Sequence, residues 1–259
     1  MRSRVILCVA GVLALAGLAF AQDAKLTAQE IMDKVLAEER IGFSVGETTA
    51  RLVIQNKQGQ ERTRTINIKS IEVDGLRWTL ATFIEPEDVA GVKLLARERK
   101  GGESDLQYLY LPAVKEKRRI AGSEKKESFM GTDFTYADPE QKDIEEADYE
   151  RLPDETHSDI PCYRINATPH DKDSDYSKLE IWIDAKDYIP LKIYFYDRSG
   201  NQVKALVARH VEMVDGRMTV TEVMMKNVQK GTRTTMHLDK LDRNKTFPQA
   251  LFDENALDK

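Results

Sequence analysis

A mainly β (α+β) fold with antiparallel strands is the architecture this sequence predicts. Three observations carry that reading: segments of alternating β-branched and aromatic residues, tight Gly-based turns between them, and only one clear amphipathic helix. About ten strands with so few helices make too much sheet to stay flat, so the sheet is expected to curl into a sandwich or a barrel. A curled sheet with one apolar face needs a cover.

The chain opens with Arg2 and Arg4, then an apolar run from Val5 to Phe20 that ends in Ala19-Phe20-Ala21. A run this short, with a positive start and a small-x-small finish, reads as a signal peptide over 1–21 and not as a spanning helix. Residues 22–259 are expected to form one mature domain in the periplasm. Cys8 lies inside the apolar run instead of at the cleavage point, which argues against a lipid anchor. Cys162 then remains alone, so the fold must hold without an internal disulfide, and its thiol is expected to be buried. The formal charge of −5 drops to about −7 once Arg2 and Arg4 are removed with no acid. An acidic chain without a long basic block makes a poor nucleic-acid binder.

Thr27 and Glu30 form a capping box, and Leu26 and Ile31 a hydrophobic staple around it. Ile31, Met32, Val35 and Leu36 then recur at helical spacing, which predicts an amphipathic helix over 27–40. Strands are expected over 43–55, 60–73, 76–84, 92–99 and 106–111. Asp74-Gly75 is a strong hairpin signal between the second and third. Residues 113–160 carry charge runs, Gly131, Pro139 and Pro153, and read as loops with one or two short regular pieces. Strands resume over 162–167, 179–184, 191–196, 203–214, 218–228 and 233–241, and one helical turn is expected over 248–252. Long strands joined by tight turns favour antiparallel meanders.

The sequence carries no recognisable catalytic or cofactor motif. His157, His170, His210 and His237 have no metal-ligand spacing. Asp171, Asp173 and Asp175 imitate the start of a calcium loop, but Tyr176 stands where Gly is needed and Trp182 where the bidentate Glu is needed. No nucleophile elbow, phosphate loop or dinucleotide fingerprint is present. The chain is therefore expected not to be an enzyme; the alternative is a catalytic carboxylate pair set by the geometry of the fold and not by sequence spacing. The basic run Lys115, Lys117, Arg118, Arg119, Lys125 and Lys126 reads as a solvated hairpin, or as a patch for anionic head groups.

Leu109-Tyr110-Leu111-Pro112, Lys117-Arg118-Arg119-Ile120 and Ser128-Phe129-Met130-Gly131-Thr132-Asp133-Phe134, with Pro86 to Gly91 upstream, resemble the outer-membrane lipoprotein-sorting protein family, a LolA-like group. The resemblance implies an incomplete antiparallel β-barrel with helices covering its concave face. It also implies a cavity that shields the acyl chains of lipids or lipoproteins between inner and outer membrane. A resistance-nodulation-division-type exporter or an outer-membrane receptor is the partner it suggests. On this reading Trp78, Leu80, Leu94, Leu109, Leu111, Ile181, Ile183, Ile193 and Phe195 line the cavity, and Ile31, Met32 and Val35 form its lid. Each also fits an ordinary core position. The competing functions are a lipid-sensing or scaffold module of the same fold and an envelope hydrolase.

Overall fold

The computed structural model describes residues 26–37, 45–100 and 103–259. The expected signal peptide over 1–21, the helix residues 38–40, the strand start at Phe43 and the Gly101-Gly102 turn lie outside the described residues.

The strands are β1 (Gly46–Gln55), β2 (Glu61–Val73), β3 (Leu76–Glu85), β4 (Lys93–Arg97), β5 (Leu106–Leu111), β6 (Glu116–Ile120), β7 (Ala147–His157), β8 (Ile160–Pro169), β9 (Lys178–Asp184), β10 (Pro190–Tyr196), β11 (Gln202–Val214), β12 (Arg217–Asn227) and β13 (Thr232–Asp242). Helix α1 spans Ala28–Ala37 and the short α2 spans Lys142–Glu145. All strands join one antiparallel 13-stranded sheet, in the order β6-β5-β4-β3-β2-β1-β13-β12-β11-β10-β9-β8-β7. The chain winds outward from β1 to one edge, β6. It then passes to the opposite edge, β7, and winds back until β13 pairs with β1. The sheet curls into an incomplete barrel whose seam lies between β6 and β7.

Parity decides what happens at the seam. Neighbours alternate in direction, so the two edges of a 13-stranded meander point the same way. A tight hairpin cannot join parallel strands. Residues 121–146 must therefore travel back along the length of the sheet, and they do so across its inner face.

The sheet has more strands than expected, because 113–160 contains β6 and the 11-residue β7. Both are edge strands, which explains why they read as loops. Edge strands are blunted by charge, proline and bulges, and so lose the alternation that marks a buried strand. β6 reads EKRRI, and Pro153 of β7 sits in a register break between Leu152 and Glu155.

The N-terminal signals hold in the structure. The Thr27 N–H donates to Glu30 Oε2 at 2.7 Å, and the Glu30 N–H donates to Thr27 Oγ1 at 3.2 Å. Asp74 and Gly75 both take positive φ, 54° and 77°, as a two-residue hairpin requires. Cys162 is buried, and burial pushes its thiol pKa up. Residues Gln249–Phe252 form the expected C-terminal turn, as a 3-10 helix.

Two apolar cores fill the inner side. One joins α1, through Ile31, Met32 and Val35, to Ile165, Leu179, Ile181, Ile183, Ile193 and Phe195 on β8, β9 and β10. The other joins Ala50, Leu52, Ile66, Phe83, Leu94 and Leu109 to Phe129 and Tyr136 of the crossover. On the outer face the C-terminal Phe252 and Leu257 pack against Ile71, Leu80, Leu95 and Trp78.

Candidate ligand cavity

Between the inner face and the crossover lies a partly open cavity of about 1340 Å³. Pockets for drug-sized ligands usually fall near 300–1,000 Å³. Strand register builds its floor in cross-strand rows, since residues paired on neighbouring antiparallel strands point to the same face. One row runs Ala208, Val223, Met236, Leu52 over β11, β12, β13 and β1. A second runs Leu241, Thr48, Ile68, Ala81, Leu94 over β13, β1, β2, β3 and β4. Leu206 and Met225, Ile193 and Phe195 extend the apolar surface toward β9.

The roof is the crossover, through Phe129, Thr132, Phe134, Asp138, Glu140 and Ile144. It is more polar than the floor because it carries the groups that tie it down. Where β2 and β13 begin, Arg62 Nη2 donates to the Gly131 carbonyl at 2.9 Å and Arg64 donates to the Met130 carbonyl. There the Asp133 carboxylate accepts from Thr232 Oγ1 and, at 2.7 Å, from Thr234 Oγ1. Phe129 stacks edge-on against Tyr136 and tilted against Phe83, each at 5.4 Å between centroids. The Phe129 to Phe134 stretch thus seals that end of the sheet.

At the opposite end, where β5 begins, the buried Lys125 Nζ donates to Ser104 Oγ and to the Asp105 carbonyl, both at 2.8 Å, and to the Glu140 carboxylate. Gln107 Nε2 donates to the same carboxylate at 2.8 Å and to the Tyr136 carbonyl at 2.7 Å. Burial pushes the Asp105 carboxyl up to about 7, with Glu140 adding to the rise, and burial also raises Glu140. Along the flank, Lys204 faces Asp138 at 3.5 Å, and Lys126 reaches the Asp173 carbonyl and Asp175 Oδ1 at 2.6 and 2.7 Å.

Gly131 has a conformational reason to be glycine. Its φ is 74°, and an added Cβ would lie 2.6 Å from Arg62 Nη2. Gly131→Ala is expected to lower stability by about 1–2 kcal/mol through backbone strain and displacement of Arg62. Urea denaturation checks this; an unchanged midpoint would contradict it.

Several sequence-derived candidates lie elsewhere than the cavity surface. Leu94, Ile193 and Phe195 line the cavity. Leu109 and Leu111 belong to the core under Phe129 and Met130. Ile31, Met32, Val35, Ile181 and Ile183 pack against one another, each fully buried, so α1 is seated on the sheet. Trp78 and Leu80 point to the outer face and meet the C-terminal segment, because Thr79 and Ala81 hold the inward phase of β3. Sequence reasoning missed Leu52, Ile68, Leu206, Val223, Met225, Met236 and Leu238. Their signal was the alternation of the long central strands, masked by threonines and methionines between larger side chains.

Most of the basic run is tied into the fold. Lys117 bonds the Glu254 carbonyl at 3.2 Å, Arg118 pairs with Glu124, and Lys125 and Lys126 anchor the roof. The Asp171 to Asp175 loop receives Lys126 and Lys142 from the crossover. Among the described residues no cluster of His, Cys, Asp and Glu could hold a metal ion, and no helix is long and apolar enough to cross a membrane.

The unclosed antiparallel barrel with few helices matches the architecture that the resemblance to the lipoprotein-sorting family implied. The comparisons agree. A family model described as "-like: Uncharacterized protein" matches residues 75–259. A domain from Vibrio parahaemolyticus named for outer membrane lipoprotein sorting is 30% identical, with a TM-score of 0.81 over 90% of this chain and 100% of that one. A DUF1329 family protein from Desulfovibrio piger is 28% identical, with a TM-score of 0.81 over 89% and 99%. A LolA superfamily protein from Nitrosomonas europaea shares the fold at 18% identity and a TM-score of 0.69, over 89% and 99%. No curated protein matches. The chain belongs to the outer-membrane lipoprotein-sorting protein family, and its fold is LolA-like.

Proposed function

We propose that this protein is a periplasmic carrier or binder of lipids or lipoproteins that shields acyl chains in its cavity between inner and outer membrane. The cavity itself carries the reading: about 1340 Å³ of space over a largely apolar floor. Each methylene moved from water onto such a surface contributes about 0.8 kcal/mol. Chains of ordinary lipid length therefore gain enough to be drawn out of water, while fewer methylenes would be held loosely. The roof spans the seam without joining the hydrogen-bond ladder of the sheet. It can lift without unpairing strands, which gives a route in and out.

The reading assigns no residue a catalytic role and needs no cofactor. Its membrane partners, an exporter or an outer-membrane receptor, rest on the family resemblance. The test is native mass spectrometry of protein isolated from its own envelope. Adducts with the mass of an acylated lipid or lipoprotein are expected, and detergent exchange should remove them. A protein that stays empty, and that takes up no labelled acyl chain from vesicles, would refute the proposal.

A further inference from the structure

We propose that the buried knot of Lys125, Glu140, Asp105 and Gln107 is a proton-sensitive latch that holds the roof against the start of β5. The proposal uses the crossover's position as roof and does not depend on which cargo the cavity takes.

The geometry is that of a fastening. Lys125 and Glu140 belong to the crossover, whereas Gln107 lies on β5 and Ser104 and Asp105 immediately precede it, and every contact in the knot but one crosses between them. The exception, Lys125 to Glu140, ties the outgoing and returning limbs of the crossover together. One buried ammonium thus bonds the Glu140 carboxylate and the Asp105 main-chain carbonyl, and its charge also acts on the neighbouring Asp105 carboxyl.

Charge around the knot decides the direction of the response. Asp105 faces Glu140 and Glu98 on the unfavourable side, and Lys125 and Arg77 on the favourable side. Glu140 also faces Lys142, which in turn meets Glu146 and Asp171. Glu145 on α2 faces Arg77, Glu98 and Glu146. With the roof closed, the Asp105 carboxyl holds its proton up to about 7; exposed to water, it would lose that proton near its ordinary value of 3.8. Opening between these values releases a proton, so the closed state weakens as pH rises from 3.8 and is weakest above about 7. While Asp105 holds its proton, Lys125 faces the Glu140 carboxylate alone.

Hydrogen–deuterium exchange on the empty full-length mature protein tests this, with rates corrected for intrinsic pH dependence. Exchange in 122–146 should rise roughly thirtyfold between about pH 5.5 and pH 8, while β13 stays constant. Asp105→Asn should flatten that response and keep the roof protected, and Lys125→Met should leave it unprotected at both pH values. An Asp105→Asn protein that keeps the wild-type response, a wild type that shows none, or a Lys125→Met roof that stays protected would overturn the latch. Because no ligand is present, these outcomes are separable from failure of the carrier reading.

Discussion

Val223→Asp is expected to weaken acyl binding roughly thirtyfold or more while leaving the fold intact. Val223 sits in the middle of the floor, half-buried, between Ala208 and Met236 on the neighbouring strands. In the empty protein its side chain faces the cavity, where water can solvate a carboxylate. In the loaded protein that carboxylate would lie against hydrocarbon with no partner. Protein data place the cost of burying an unpaired polar group at about 1–3 kcal/mol, and more for a charge. A loss of at least about 2 kcal/mol corresponds to roughly thirtyfold weaker binding. Displacement of a fluorescent fatty acid measures it. Val114→Asp, at a turn position that is 64% exposed, is the matched control and should bind as the wild type does. Equal affinities for the two variants would mean that cargo does not touch the floor.

Asp133→Ala should produce the largest loss of stability. Asp133 is 8% exposed and Thr234 0%, so their hydrogen bonds have no water to replace them. The substitution removes the acceptor for the Thr232 and Thr234 hydroxyls, and leaves the Thr234 hydroxyl buried without one. Hydrogen bonds to a charged group are worth about 1.5–3 kcal/mol each, and the orphaned hydroxyl adds its desolvation penalty. A net cost of about 3 kcal/mol would lower Tm by roughly 6–12 °C for a domain of this size. Thermal unfolding followed by circular dichroism checks this. The same variant should bind apolar dye faster, because the sealed end of the roof is freed. A stable Asp133→Ala protein with normal dye kinetics would show that this end is held by the Phe129, Tyr136 and Phe83 stack instead.

The fold was legible where burial imposes a period. Helix α1 could be read from Thr27, Glu30 and the Ile31 stripe, because capping and amphipathicity are local. The central strands could be read from alternation, because each has one face in the core. The edges could not. β6 and β7 owe their strand conformation to a single neighbour each, and their charges answer to solvent. The cavity was legible only in part for a different reason. Ile181 and Val223 both sit at inward positions of their strands, yet Ile181 is covered by α1 and Val223 lines the cavity, half-buried. What separates them is the path of the crossover and of α1, and that path depends on contacts more than a hundred residues apart, such as Asp133 with Thr234.

The direction of the two borders of the seam has a consequence for how this architecture can vary. Insertions in an antiparallel meander arrive as hairpins, adding strands in pairs. A gain or loss of one hairpin leaves an odd total odd, so the returning segment must still span the full height of the wall. Widening or narrowing the vessel by such steps preserves its canopy. A change by one strand would instead let a short loop stitch the borders together, and the interior would lose its cover.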